Sequence, residues 1–276
     1  MARMIFAALG AFAAGVATGG ALLSAAQRRM VAAPELGPTA PGRAKPVAVV
    51  WAGPVSLSQV EGAWLEALPV AAVTCKGDGK PSCAQRADGW KDAEGRRLPG
   101  LRRTLKLGDG PLILAAFSAG GHLVHRVLQH PKDRAEVAGV VLADATYVTT
   151  WEDKAARRAT PIASLVEYAR EAIADGRLFI ATASSTPNSG SSGKVTNYPT
   201  GAETLAAIAT AAGLEERAKG GEPWPGGLAP GREWGNGASV RLADCGGALM
   251  HAEHATKLAP KVWGAWVKPF FGGSIA

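Results

Sequence analysis

The residues best suited to chemistry gather around Ser118, in the stretch PLILAAFSAGGHLVHRVLQH. An apolar, strand-like run leads into the serine and an amphipathic helical pattern leads out of it, so Ser118 is expected at a sharp strand-to-helix turn. Such a turn packs its backbone against the adjoining strand and helix and needs small residues two positions to either side. Ala116 and Gly120 meet that need, and Gly121 adds room at the helix start. A serine hydroxyl becomes a strong nucleophile only when a base takes its proton and a third group orients the base. The chain offers both further on. Asp144 closes the apolar run 137–143 (VAGVVLA) and is therefore expected at a strand C-terminus, the edge where open α/β sheets bind ligands. The stretch after the next strand, LFIATASSTPNSGSSGKVTNYPTGA, holds no carboxylate between Asp175 and Glu203, which favours Asp144; Asp244, at the end of the last strand, is the alternate acid. Near the C-terminus, ALMHAEHATKLAPKVWGAWVKPF sets His251 and His254 where a loop enters a helix. His251 lies nearer the loop and is the preferred base, with His254 the alternate, otherwise a helix-surface or supporting residue. His122 is expected along the helix that follows Ser118, and His125 and His130 toward solvent. The chemistry such a set performs is attack on a carbonyl carbon, with an acyl-enzyme that water then cleaves.

The segment Ala-Phe-Ser-Ala-Gly, placed between strand and helix, resembles the nucleophile elbow of the α/β-hydrolase family in the variant with Ala for the first Gly. The family's chain order of nucleophile, acid and histidine is also kept. The resemblance extends over about residues 46–270, and its specific motifs over about 40 of them. It implies a serine hydrolase acting on carboxylic esters, with Ser118 as nucleophile, His251 as base and Asp144 as acid, and without a cofactor or metal. It further implies an oxyanion held by the backbone N–H of Ala119 and by a second donor from Trp51-Ala52-Gly53-Pro54-Val55. Pro54 has no N–H, so Ala52, Gly53 or Val55 must supply that donor, with Gly53 taken as the representative. Trp51, Phe117 and Trp151 are candidates for an acyl pocket, and Trp224 and Trp234 for lining or capping it. Two alternatives stay open: a catalytically silent, tethered binding or structural domain, and an amidase or peptidase using the same serine. His251-x-x-His254 also has the spacing of a metal pair, but no HExxH motif or carboxylate cluster accompanies it.

The elements that must position these residues read as alternating strands and helices. Apolar runs at 47–51, 70–74, 111–116, 137–143, 177–183 and 239–243 are separated by helical patterns near 58–67, 119–130, 160–174, 201–212 and 254–267. Short, continuous apolar runs between helices argue an α/β, doubly wound, mostly parallel sheet of about six strands with helices on both faces. By analogy with the family, 47–51 is central, flanked by 70–74 and 111–116, with the later strands following outward. The usual two leading antiparallel strands have no counterpart before residue 46, as in the small, cutinase-like members. Residues 75–100 and 213–237 read as irregular segments, and Ser/Gly-rich 184–193 as a loop at the sheet's functional edge.

Residues 4–27 carry no charge and are bracketed by Arg3 and by Arg28-Arg29, so 1–30 read as a cleaved export signal, an uncleaved membrane anchor or an N-terminal helix. Residues 31–45 then form a Pro/Gly/Ala linker, and the α/β domain occupies 46–276. Cys75 and Cys83 enclose a short loop suited to a disulfide in an oxidising compartment, leaving Cys245 over, and no C-x-x-C pair argues for zinc. The location implied is periplasmic, extracellular or membrane-anchored. The chain of 276 residues has a net charge of +7, and residues 1–110 hold 14 Lys/Arg against 8 Asp/Glu. Its densest run is Arg96, Arg97, Arg102, Arg103 and Lys106, read as a solvated face or as a strip for anionic partners. With no zinc-finger, RNA-binding or aromatic-interleaved basic motif, nucleic acid is not the expected partner. A hydrophobic content of 47% with only 19% charged residues excludes a disordered chain.

Overall fold

In a computed structural model of the protein, residues 46–54, 70–75, 81–146, 154–185, 200–217 and 223–271 are described. The N-terminal segment, the linker, the helix expected at 58–67 and Trp151 lie outside them. The strands are β1 (Ala48–Gly53), β2 (Val70–Thr74), β3 (Leu112–Phe117), β4 (Val137–Ala143), β5 (Leu178–Ala183), β6 (Arg232–Gly235) and β7 (Val240–Asp244). They form one sheet in the order β2-β1-β3-β4-β5-β7-β6. Every pairing is parallel except that of β6 with β7. The molecule belongs to the α/β class.

Alternation within the strands sorts side chains into two layers. From β1, Ala48, Val50 and Ala52 face a layer completed by α1 (Cys83–Asp88), α2 (Leu98–Leu105), α3 (Gly121–Leu128), α5 (Lys154–Asp175) and α6 (Gly201–Ala212). Val49 and Trp51 face the opposite layer, closed by Ala255, Leu258, Val262, Trp263 and Val267 of the C-terminal helix α7 (251–270). Strands β1, β3, β4 and β5 are buried at every position, as sheets covered on both faces require. Helix α6 begins where Thr200 and Glu203 form a reciprocal capping box, which fixes its start at the expected residue. In α7, α-helical pieces alternate with π-helical turns at His254–Leu258 and Trp263–Val267. Each π turn ends two residues before a proline, Pro260 or Pro269. A proline lacks the N–H that would bond four residues back and its ring crowds that carbonyl, so a wider turn beforehand lets the helix continue.

Several expectations need correction. Among the described residues the sheet has seven strands: β6 lies in the segment read as irregular, where Gly235 and Gly237 take positive φ and Asn236 Oδ1 accepts three backbone N–H groups to make the β6–β7 turn. Strand β1 does lie between β2 and β3, but the middle strand is β4. The segment 75–100 holds α1 and the start of α2, anchored by a Cys75–Cys83 disulfide.

The basic run is a solvated face only at Arg103 and Lys106, which are exposed. Arg97 and Arg102 are buried, and Arg96, Arg97 and Arg102 engage Asp133, Asp88 and Glu136. The fully buried Asp133 accepts the backbone N–H groups of Arg97 and Leu98, capping α2 from 35 residues away in the chain. That places charge where the orphan N–H groups and dipole of a helix start favour it. Glu136, which binds Arg96 and Arg102, immediately precedes β4, so this network lies at the opposite end of the strand from Asp144. Among the described residues no helix is long and apolar enough to cross a membrane.

Candidate active site

Strand β3 ends at Phe117, and Ser118–Gly120 make a single 3₁₀ turn before α3. Ser118 is held at φ 53°, a left-handed conformation that costs a non-glycine residue about 1–3 kcal/mol. Among the described residues only Lys106, Ser118 and Asp144 combine a side chain with positive φ. Lys106 ends helix α2, where such a conformation is routine. The other two are the expected nucleophile and acid.

The small residues after the serine have a measurable reason. A Cβ on Gly120 would fall 2.0 Å from the carbonyl oxygen of Ala52 at the end of β1. One on Gly121 would fall 1.8 Å from the carbonyl oxygen of Ala145, just past β4. The turn is thus wedged between the ends of β1 and β4, the two strands that flank β3, and both contacts are to backbone that cannot swing aside. Gly121→Ala is therefore expected to destabilise the protein by about 3 kcal/mol, at the upper end of overpacking costs. Urea unfolding of the variant beside the parent measures this; a loss below about 1 kcal/mol would mean that the turn is not wedged.

Asp144 follows β4 with its carboxylate fully buried. Its backbone N–H donates to Thr182 O at 2.8 Å. Its Oδ1 accepts the N–H of Ser184 at 3.1 Å, while Oδ2 accepts the Ser184 hydroxyl and His251 Nδ1, each at 2.8 Å. Burial alone would push this carboxyl up, but the His251 bond, the nearby His254 and the two Ser184 bonds together hold it below its ordinary value. His251 is the first residue of α7, and its side chain is 42% exposed. Its ring lies against that of Phe117, centroids 4.6 Å apart. The imidazole therefore sits against the residue that immediately precedes Ser118. A nitrogen bonded to a carboxylate must carry its proton, so neutral His251 is the Nδ1–H tautomer, with Nε2 as the basic nitrogen.

The alternates occupy other places. His254 is fully buried, its Nδ1 2.9 Å from Thr182 Oγ1. Asp244 accepts from Ser185 Oγ and from the Gly246 N–H. Ala119 lies in the 3₁₀ turn and Gly53 at the end of β1, next to the glycine that the turn presses on it. Trp51 is buried in the layer beneath α7, as is Trp224, while Trp234 is buried on the opposite side of the sheet; all three serve as core and not as an open pocket wall. His125, expected toward solvent, is buried with Nδ1 3.3 Å from Ser164 Oγ, and His130 accepts the Lys132 N–H at the start of α4 (Pro131–Ala135). Cys245 is buried and its thiol is pushed up to about 12 by burial and by Asp244 and Asp144, which makes it a poor nucleophile near neutral pH. Ser184 was not anticipated: it stands after β5 in the stretch noted for lacking a carboxylate and binds the acid supplied by β4.

Burial pushes the His254 imidazole below its ordinary value, against the opposing pull of Asp144. The unfolded chain takes up a proton there as pH falls below about 6.5, whereas the folded chain resists it. Stability should therefore decline from about pH 6.5 down to the lowered folded value, by at most about 1.4 kcal/mol per pH unit for this one site. Urea midpoints on either side of about pH 6.5 check this, with His254→Asn expected to flatten the dependence; a parent midpoint insensitive to pH would contradict a neutral, buried His254.

Among the described residues no group of three or more His, Cys, Asp or Glu is arranged to hold a metal ion. In comparisons with known proteins, no family model matches the chain and no curated protein is significantly similar to it.

Proposed function

We propose that the protein is a serine hydrolase of α/β-hydrolase type that cleaves carboxylic esters through an acyl-enzyme. The observation that carries this reading is that the C-terminal edge of the parallel strands holds the left-handed Ser118 turn, the His251–Asp144 hydrogen bond, and the His251 ring packed on Phe117, the residue before Ser118. The strand order β2-β1-β3-β4-β5-β7 supports it, since it follows the neighbour relations that the resemblance implies.

In the proposed reaction, Ser118 Oγ attacks the ester carbonyl carbon as its proton passes to His251 Nε2. Asp144 keeps the imidazole in its Nδ1–H tautomer and stabilises the imidazolium. The tetrahedral oxyanion is held by the Ala119 N–H and by a donor from the end of β1 at Gly53, each worth about 2.7–4 kcal/mol of transition-state stabilisation. Collapse expels the alcohol, which takes the proton back from His251. Water then attacks the acyl-enzyme with His251 again as base, releasing the acid and restoring Ser118. The uncharged stretch 4–27 supports export or membrane attachment, and with it an extracellular, envelope or lipid ester as substrate.

The test is hydrolysis of nitrophenyl acetate, nitrophenyl palmitate and a matched anilide. Ester turnover with a nitrophenol burst stoichiometric with protein is expected. Faster cleavage of the anilide would move the assignment to an amidase, a strict preference for acetate would remove the lipid version, and no turnover by folded protein would leave a silent binding domain.

A further inference from the structure

His254 is a fully buried titratable group for which the proposed reaction has no direct use. It shares the first turns of α7 with His251, three residues earlier. Thr182 Oγ1 lies 3.5 Å from Leu142 O and donates to it, so it accepts from His254 Nδ1–H at 2.9 Å. This leaves Nε2 as an acceptor, and no hydrogen-bond partner reaches it among the described residues. The His254 side chain adjoins a cavity of about 10 Å³ also walled by Val141, Ile180, Leu258 and Val262, too small for a substrate group. His254 is thus enclosed, and its one directional contact is to β5.

Thr182 also fixes the acid. Its carbonyl accepts the Asp144 N–H, and two residues on, Ser184 binds both carboxylate oxygens. The end of β5 therefore grips Asp144 through Thr182 O and Ser184, and grips α7 through Thr182 Oγ1 and His254. The His251–Asp144 bond spans these two attachments.

We infer that His254 is a positioning residue, whose Nδ1–H bond to Thr182 locks the first π turn of α7 onto β5 and so holds His251 Nδ1 against Asp144. The inference rests on the reading of His251 as the base. The His254–Thr182 and His251–Asp144 bonds both tie the start of α7 to the sheet, and with the first removed the imidazole drifts from its aligned position. A misplacement on the order of 1 Å can cost about 100-fold in rate.

Three variants of the full chain separate alignment from bulk stability. His254→Phe keeps the volume and removes the donor, Thr182→Val removes the acceptor, and His254→Asn places an amide N–H near the position of Nδ1. Each is assayed as folded protein, by kcat and KM for nitrophenyl ester hydrolysis and by the His251 tautomer in long-range ¹H–¹⁵N spectra. For His254→Phe and Thr182→Val the expected result is a fall in kcat of about 10- to 100-fold with little change in KM, together with a shift of His251 from Nδ1–H toward Nε2–H. His254→Asn should restore most of both. Unchanged kcat and tautomer in folded His254→Phe or Thr182→Val would overturn the inference, as would His254→Asn proving as impaired as His254→Phe. If His254→Phe does not fold, Thr182→Val decides alone. If the parent hydrolyses no ester, the tautomer alone decides: loss of Nδ1–H on breaking the Thr182 bond supports the positioning role, and its persistence overturns it.

Discussion

Replacing Ser118 with alanine is expected to lower kcat for ester hydrolysis on the order of 10⁶-fold, to the level of the uncatalysed background plus what binding and the oxyanion donors retain. The side chain removed is small, Ser118 stands at a turn of intermediate exposure, and the left-handed φ of 53° is as costly for alanine as for serine. Stability should therefore hardly change, and the loss reads as chemistry. Ser118→Gly refines the point. It should be equally inactive but more stable, by about 1 kcal/mol, because glycine occupies this region without strain. Burst kinetics and urea unfolding on the three proteins together check the expectation. A Ser118→Ala protein that retained more than a small percentage of the parent rate would remove Ser118 from the mechanism.

The second large effect is that of Asp144→Asn, expected at about 10⁴-fold in kcat, as for carboxylates that set a catalytic tautomer. Here the reason is specific. Oδ2 accepts from both Ser184 Oγ and His251 Nδ1, and Oδ1 accepts from the Ser184 N–H, so every neighbour is a donor. An amide must set its NH₂ against one of them. Facing His251, it forces the imidazole to accept at Nδ1 and carry its proton on Nε2, where it can no longer take one from Ser118. Facing Ser184, it sets its NH₂ against that backbone N–H. The variant should also lose a pH-dependent part of its stability. The folded-state carboxyl is held below its ordinary value near 3.8, so in the parent its contribution is present above that pH and is lost as pH falls through the lowered value. The parent and Asp144→Asn should accordingly differ most in urea midpoint near neutral pH and converge in acid.

The parts of this structure legible in the sequence are those governed by local pattern. Uninterrupted apolar runs such as VAGVVLA specify strands covered on both faces, and the Thr200–Glu203 box sets the start of α6 at Gly201. The Ser118 turn was legible because its glycines answer to steric contacts, with Ala52 and Ala145, that allow no substitute. What escaped depends on partners remote in sequence. Strand β6 is four residues long, with Arg232 and Glu233 ahead of its one buried residue, and exists because β7 pairs with it. Arg96 looked solvated because Asp133, the partner of its side chain at 37 residues' separation, is supplied by the tertiary fold. Ser184 and Thr182 are ordinary residues at a strand end and acquire their roles only when Asp144 and α7 arrive beside them. The choice between His251 and His254 had the same character. Both lie at the loop-to-helix boundary, and only the packing of α7 on the sheet turns one outward to Asp144 and encloses the other against Thr182.

The central claim is that Ser118 is a nucleophile activated by His251. Its most direct test is covalent labelling with a fluorophosphonate, followed by peptide mapping of the adduct, on the parent, Ser118→Ala, His251→Ala and heat-denatured protein. One adduct per chain, on Ser118, is expected in the folded parent, with slow or absent labelling of His251→Ala and none of the other two. Folded parent protein that takes up no label, labels at another residue, or labels at Ser118 equally fast without His251 would contradict it.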